Sequence, residues 1–340
     1  MPVTGTKHSP KYYVSAVEAT TNDTDSSEST KKLFSICMAN VVYDNDGNVN
    51  ASDVTLLTDS EKYIGGNRNT SYTGVKSLHG RPATSFTRAN FRTRAAARGT
   101  GWSQQYWDAY MAWVRLYVVE YCSFNSQAPY NANKTSNGYM QGGLGAGVSE
   151  VGSSAWSNFN GYNPFVPCGV TKRLGNATGV VDYKFAAGEF QESALTVHVP
   201  AYRGIENPFG HIWKWTDGLN AYCDGETHKT SIYTCNNPAN FADNTSDNYV
   251  LRTSDMYQGT EGWIKSWLVD ENADFIPLTT GGSGSSYLCD YSWANNTGWR
   301  VLYSSGRAHR GARCGLFCFS VYDDSSYADA NIGGRLYYTP

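Results

Sequence analysis

The segment WRVLYSSGRAHRGARCGLFCFSVYDDSSYADANIGGRLYYTP, Trp299 to Pro340, carries two kinds of residue laid over each other. One kind reads as a rigid frame: Trp299, Arg300, Val301, Gly306, Gly311, Gly315, Leu316, Phe317, Phe319 and Val321, then Ile332, Gly333, Gly334, Arg335 and Leu336. Most are apolar side chains that fill a core or glycines that permit tight turns. Between them stand Arg307, His309, Arg310, Arg313, Ser320, Tyr322, Asp323, Tyr327 and Asp329, which share no chemistry. Basic, acidic, aromatic and small polar side chains in no periodic order suit reach and exposure rather than packing. These nine are the candidate ligand-binding surface.

Upstream of this segment, YRGIENPFGHIWKWTDGLNAYCD (202–224) sets His211, Trp213 and Trp215 against Ile212, Lys214 and Thr216. That period of two marks a short strand with tryptophan on one face. His211, close to Asn207 and Asp217 but with no second histidine nearby, reads as a hydrogen-bonded structural residue rather than a catalytic or metal-binding one. The clearest helix is QQYWDAYMAWVRLYVVEYC (104–122), in which Trp107, Tyr110, Met111, Val114, Val118 and Tyr121 recur at helical spacing. Ser103 is placed as its N-cap, and no catalytic side chain lies on it.

The rest of the chain is polar and turn-rich. Residues 1 to about 30 are rich in Ser, Thr and Asp and read as a poorly ordered arm or attachment segment. Residues 32–58 place two apolar runs around DNDGN, whose Asp-Gly turn chemistry predicts a strand-turn-strand unit for pairing or assembly. The cluster Arg88, Arg92, Arg94 and Arg98 predicts solvated loop charges or internal ion pairs rather than phosphate contacts. The glycines at 142, 143, 145 and 147 lack a following GKS or GKT and a surrounding strand–turn–helix unit, so they read as a surface loop rather than a nucleotide cradle. Strands are expected within 180–185, 193–200, 248–253, 263–269 and 286–293. The class is α+β, with one or two helices, many short strands and long connections, divided into an N-terminal region 1–60 and a main domain 61–340.

A net charge of −3 gives no electrostatic case for nucleic acid or an anionic membrane. No window approaches the roughly 18–20 apolar residues of a transmembrane helix. The first thirty residues have no apolar core of a secretory signal, so synthesis in a cytoplasm without a signal peptide is expected. Aromatics are 14% of the chain, with 25 Tyr and 10 Trp, an excess that suits contact surfaces as well as core. The eight cysteines include no CxxC pair and no neighbouring His/Cys cluster, so they read as small buried hydrophobes, with no metal site expected.

Two motifs together resemble one branch of a known fold. GHIWKWTDG (Gly210 to Gly218) is similar to the G-N-V-W-E-W-T-x-D segment of the formylglycine-generating-enzyme branch of the C-type lectin fold. Trp299-Arg300-Val301, Gly306 and Gly333-Gly334-Arg335-Leu336 resemble that branch's R-V-x-R-G-G-S … G-F-R-L ending, and the helix at 104–122 stands where the branch has its E-W-E-Y helix. The resemblance covers roughly 95–340. A closer one is to the variable proteins of diversity-generating retroelements, including receptor-binding tail proteins of phages and prophages, whose last stretch reads like GARCGLFCF-x-V followed by small residues and NIGGRL.

The resemblance implies that error-prone reverse transcription at template adenines replaces AAY asparagine codons, a scheme that never yields Lys, Glu, Gln, Trp or Met. Between Gly306 and Ile332 none of those five occurs. It further implies a C-type lectin scaffold with a variable region at about 299–340. The nine candidates would then bind a bacterial cell-surface receptor, protein or polysaccharide, from the tip of a virion tail fibre. Other tail-fibre proteins would attach through the N-terminal region, in a homotrimer, with no cofactor and no catalysis. Two rivals are an oxidase of the formylglycine-generating type, using Cys314 and Cys318 with a metal, and a sugar-binding lectin on a cell surface. The cysteine spacing departs from the oxidase pattern, and the Glu-Pro-Asn and Trp-Asn-Asp motifs of calcium-dependent lectins do not occur.

Overall fold

Short strands dominate the computed structural model, which describes residues 11–22, 31–37, 39–56, 80–127, 130, 164–188, 194–257, 261–286, 288 and 290–340. Two α-helices stand among them, α1 (Arg88–Ala96) and α2 (Trp107–Tyr121), so the class is α+β and loop-rich. The glycine-rich stretch 140–152, all of 57–79 and Cys289 lie outside the described residues.

The main element is a nine-stranded sheet. Its order is Val250–Tyr257, Lys229–Thr234, Trp213–Cys223, Gly298–Ser304, Phe319–Ser320, Tyr291–Trp293, Gly262–Val269 and Phe275–Thr280, with Ile332–Gly333 running parallel to the start of Trp213–Cys223. The two end strands lie against each other, so the sheet is nearly closed. Trp213–Cys223 is central and covered on both faces, which is why all but one of its side chains are buried despite the alternating sequence.

α2 packs Trp107, Tyr110, Met111, Trp113, Val114 and Tyr117 into the core. It begins at Trp107, the first residue of its apolar period, rather than at the expected Gln104. Ser103 is not its cap: Ser103 is buried in the strand Trp102–Gln104, which pairs with Leu336–Tyr338, and Tyr106 occupies the N-cap without a side-chain bond. Gln104 and Gln105 are held in extended chain because their side chains donate to Asp217 (2.7 Å) and Thr216 (2.8 Å) in the central strand.

α1 comes from the arginine cluster. Thr87 caps it by accepting from the Asn90 N–H, and the arginines face inward. Arg92 grips the buried Asp217 carboxylate through Nε (2.7 Å) and Nη2 (2.8 Å), and both Arg88 and Arg92 reach Asp243. These are internal ion pairs. Arg94 lies over the Phe86 ring at 3.7 Å.

The N-terminal region is tied into this body. Tyr13–Val14 pairs with Leu336–Tyr338, and Val49–Asn50 pairs in parallel with Gly179–Phe185. The DNDGN turn closes as expected, Asp44 accepting from the Asn48 N–H, with Ala39–Val41 against Val54–Leu56. Strand pairing therefore crosses residue 60, where a boundary was expected. Glu18 enters the core and meets His211 Nδ1 at 2.6 Å and Lys214 Nζ at 2.8 Å. His211 Nε2 in turn accepts from the Phe165 N–H (2.9 Å), the structural role its sequence context suggested. Arg335, wholly buried, donates to the carbonyls of Ser15, Glu206 and Asn207.

The seven described cysteines are free thiols. Among the described residues no helix is long and apolar enough to cross a membrane.

Candidate ligand-binding face

Four neighbouring strands bring side chains to one face in register. Trp215 stands opposite Tyr303, Tyr303 opposite Ser320, and Ser320 opposite Trp293. Directly opposed residues share a face, as do Trp213 and Trp215 two positions apart. The rings pack edge to face: Trp213 lies 4.8 Å and Trp215 5.6 Å from Tyr303, and Trp213 lies 5.2 Å from Trp293.

Above this aromatic floor opens a cavity of about 390 Å³. Trp213, Trp293, Tyr303 and Ser320 come from the strands, and Arg307 and Arg310 from the turn that follows Ser304. Tyr322, Asp323 and Tyr327 rise from the loop after Ser320, and Glu261 and Asn295 complete the wall. Six of the nine candidates therefore line one hollow: Arg307, Arg310, Ser320, Tyr322, Asp323 and Tyr327. The other three flank it. Asp329 accepts from the Tyr327 hydroxyl (2.9 Å), His309 is half-buried amid the arginines, and Arg313 lies over the Tyr291 ring at 4.7 Å.

One expectation needs correction. Ser320 is 1% exposed, not a reaching surface residue, because it sits in a strand between Tyr303 and Trp293 at the bottom of the hollow. Tyr322 is the exposed member, at 36%. Glu261, Asn295 and Trp293 were not anticipated. The register that brings Ser320 beside Trp293 joins segments with no shared sequence signal.

The loop's backbone is fixed while its side chains project. The Val321 N–H donates to the Trp293 carbonyl (2.9 Å) and the Val301 N–H to the Asp323 carbonyl (3.2 Å). Asn296 holds the Tyr322 carbonyl (2.8 Å), and the Ser85 N–H holds that of Asp329 (2.9 Å). Beneath, Cys314, Leu316, Phe317, Cys318, Phe319 and Val321 are all buried, which places both cysteines in the frame. Gly306 adopts φ +76°, and a Cβ there would collide with Cys314.

Burial shapes the electrostatics. It pushes the Asp323 carboxyl up, partly offset by the hydrogen bond from Tyr303 Oη (2.7 Å), and raises the Tyr303 hydroxyl well above its ordinary range. Burial together with Arg307, Arg310 and Arg313 pulls His309 down to about 3, so its ring is uncharged at neutral pH. Burial lifts the Cys314 thiol to about 12 and the Cys318 thiol well above its ordinary range, leaving both protonated. Arg310 lies over Trp293 (5.2 Å), a cation on an aromatic face. The arrangement offers donors, acceptors and flat apolar walls around one hollow, the makeup of a binding site.

No protein-family model and no curated protein matches the chain.

Proposed function

We propose that this chain is the receptor-binding protein of a phage or prophage tail fibre, and that it presents a retroelement-diversified surface on a C-type lectin scaffold of the formylglycine-generating-enzyme type. The observation that supports it most is the partition within 299–340. Residues read as frame are nearly all buried or turn-forming, whereas six of the nine interleaved residues converge on one cavity. A backbone anchored at Val321, Tyr322, Asp323 and Asp329 lets those side chains change without disturbing the core. The ligand in this reading is a bacterial surface molecule. Affinity per copy is modest and is multiplied by the repeated copies on one particle, a homotrimer at each fibre tip, with residues 1–60 contributing to attachment.

The test is adhesion of purified protein to host cells. Changing Tyr322, Asp323, Tyr327 and Asp329 together to Ala is expected to abolish adhesion. Undiminished adhesion would place the site elsewhere. A reverse transcriptase encoded beside a near-copy of the 3′ end, differing only at adenines, is the expected genetic context.

A further inference from the structure

Two buried N–H donors in the wall of the cavity have no acceptor. Trp293 is 3% exposed, and its indole Nε1 makes no hydrogen bond; Arg310 Nε is likewise buried and unbonded. Trp and Arg donors of this kind ordinarily find partners, since a buried donor left unbonded loses its hydration with nothing in return. Among the described residues no carboxylate pairs with Arg310, which instead rests on the Trp293 ring. Of the two carboxylates that line the hollow, Asp323 already receives Tyr303 Oη and Glu261 is exposed to solvent, while Ser320 at the bottom carries a neutral hydroxyl. Tyr322 and Tyr327 supply flat walls at the mouth.

We propose that this cavity takes an acidic sugar, a single pyranose ring bearing one carboxylate, with the carboxylate received by Arg310 and the Trp293 N–H. The proposal rests on the receptor-binding reading and names the chemistry of its ligand. A carboxylate answers both vacant donors, one of them part of the Arg310 guanidinium, and charge-assisted bonds are the strong ones. Ring hydroxyls, each both donor and acceptor, match Asp323 and Ser320, and the ring's C–H face suits Tyr322. The volume of about 390 Å³ falls in the range of small-molecule pockets, roughly 300–1,000 Å³. A hollow of this size holds one ring better than an extended peptide, which would need a free strand edge or a groove.

The test uses the full chain, titrated with glucuronate and with N-acetylneuraminate and followed by tryptophan fluorescence and calorimetry. Glucose and the methyl ester of glucuronate serve as uncharged controls. Saturable binding of at least one acid is expected, with its uncharged counterpart weaker by about tenfold or more. Arg310→Gln is expected to weaken binding by a similar factor, Arg310→Lys to restore part of it, and Trp293→Phe, which keeps a ring but removes the donor, to weaken it several-fold. If the Arg310 variants misfold by circular dichroism, Tyr322→Ala at the exposed mouth carries the same test and is expected to weaken binding. Equal binding of acid and ester, no binding of either acid, or indifference to these substitutions would overturn the proposal. So would acidic peptides that bind the cavity while both sugars fail. The host-cell assay separates the two readings. Adhesion lost in the fourfold alanine variant but unaffected by saturating acidic sugar removes this inference and leaves receptor binding standing, whereas adhesion intact in that variant removes both.

Discussion

Glu18 shows how much one carboxylate can hold. Burial alone would raise it, but Lys214, His211 and Arg335 outweigh burial and bring it down to about 2. Replacing it by Gln leaves Lys214 buried with its charge unmatched, a change expected to destabilise the fold by about 3–5 kcal/mol in urea unfolding. Its folded value lies below its ordinary 4.5. The unfolded chain therefore takes up the proton first, and this stabilisation is complete above pH 4.5 and lost as pH falls toward 2. His309 acts in the same direction for a different reason. Held to about 3 against an ordinary 6.5, it is neutral when folded and charged when unfolded, so stability declines as pH drops below 6.5. Its ring proton shifts in NMR are expected to stay flat from neutral pH down to about pH 4, where a solvent-exposed histidine would have titrated fully.

At the scale of elements, α1 is the instructive case. It has little apolar stripe, and its inward face is built from Arg88, Arg92 and Arg94 with Phe91 and Ala95. Hydrophobic periodicity, the strongest signal in sequence, had nothing to register there, so the cluster was legible as solvated loop charges or internal ion pairs but not as a helix. α2 was legible because its stripe is apolar, and its start was misplaced because Gln104 and Gln105 are claimed by the central strand. Two substitutions separate cap from clamp. Thr87→Ala removes the cap bond and is expected to cost about 1 kcal/mol. Arg92→Ala strips Asp217 of a bidentate partner in a buried setting and is expected to cost roughly 3 kcal/mol. Thermal unfolding of both variants orders them.

For the whole molecule, the question is whether binding and stability reside in different atoms. The core is built by the nearly closed sheet, α2 and the frame residues, and the cavity's rim meets it at Tyr327, which packs against Trp215 and Tyr303. Surface substitutions outside special features stay within about ±0.5 kcal/mol each. The fourfold alanine variant of Tyr322, Asp323, Tyr327 and Asp329 also leaves the buried Tyr303 hydroxyl without its Asp323 acceptor, so it is expected to lose about 2–4 kcal/mol yet stay folded while losing adhesion, by calorimetry of the same preparations used on cells. The frame of 299–340 could be read from sequence because apolar residues and glycine announce themselves. Glu18, Glu261 and Asn295 could not, since each matters only through a partner more than thirty positions away or in another strand. Ser320 lines the same hollow as five other candidates, at a depth its sequence context did not convey.

That depth has a consequence of its own. Along the row Trp215, Tyr303, Ser320, Trp293, three members are large rings and one is a hydroxymethyl group. The hollow exists where the small one stands, so position 320 works as a stopper. A tyrosine, histidine or arginine there would plug the concavity from below and leave a level platform with the same rim. A single codon would then decide whether the face grips a protruding group or lies flat against a broad one.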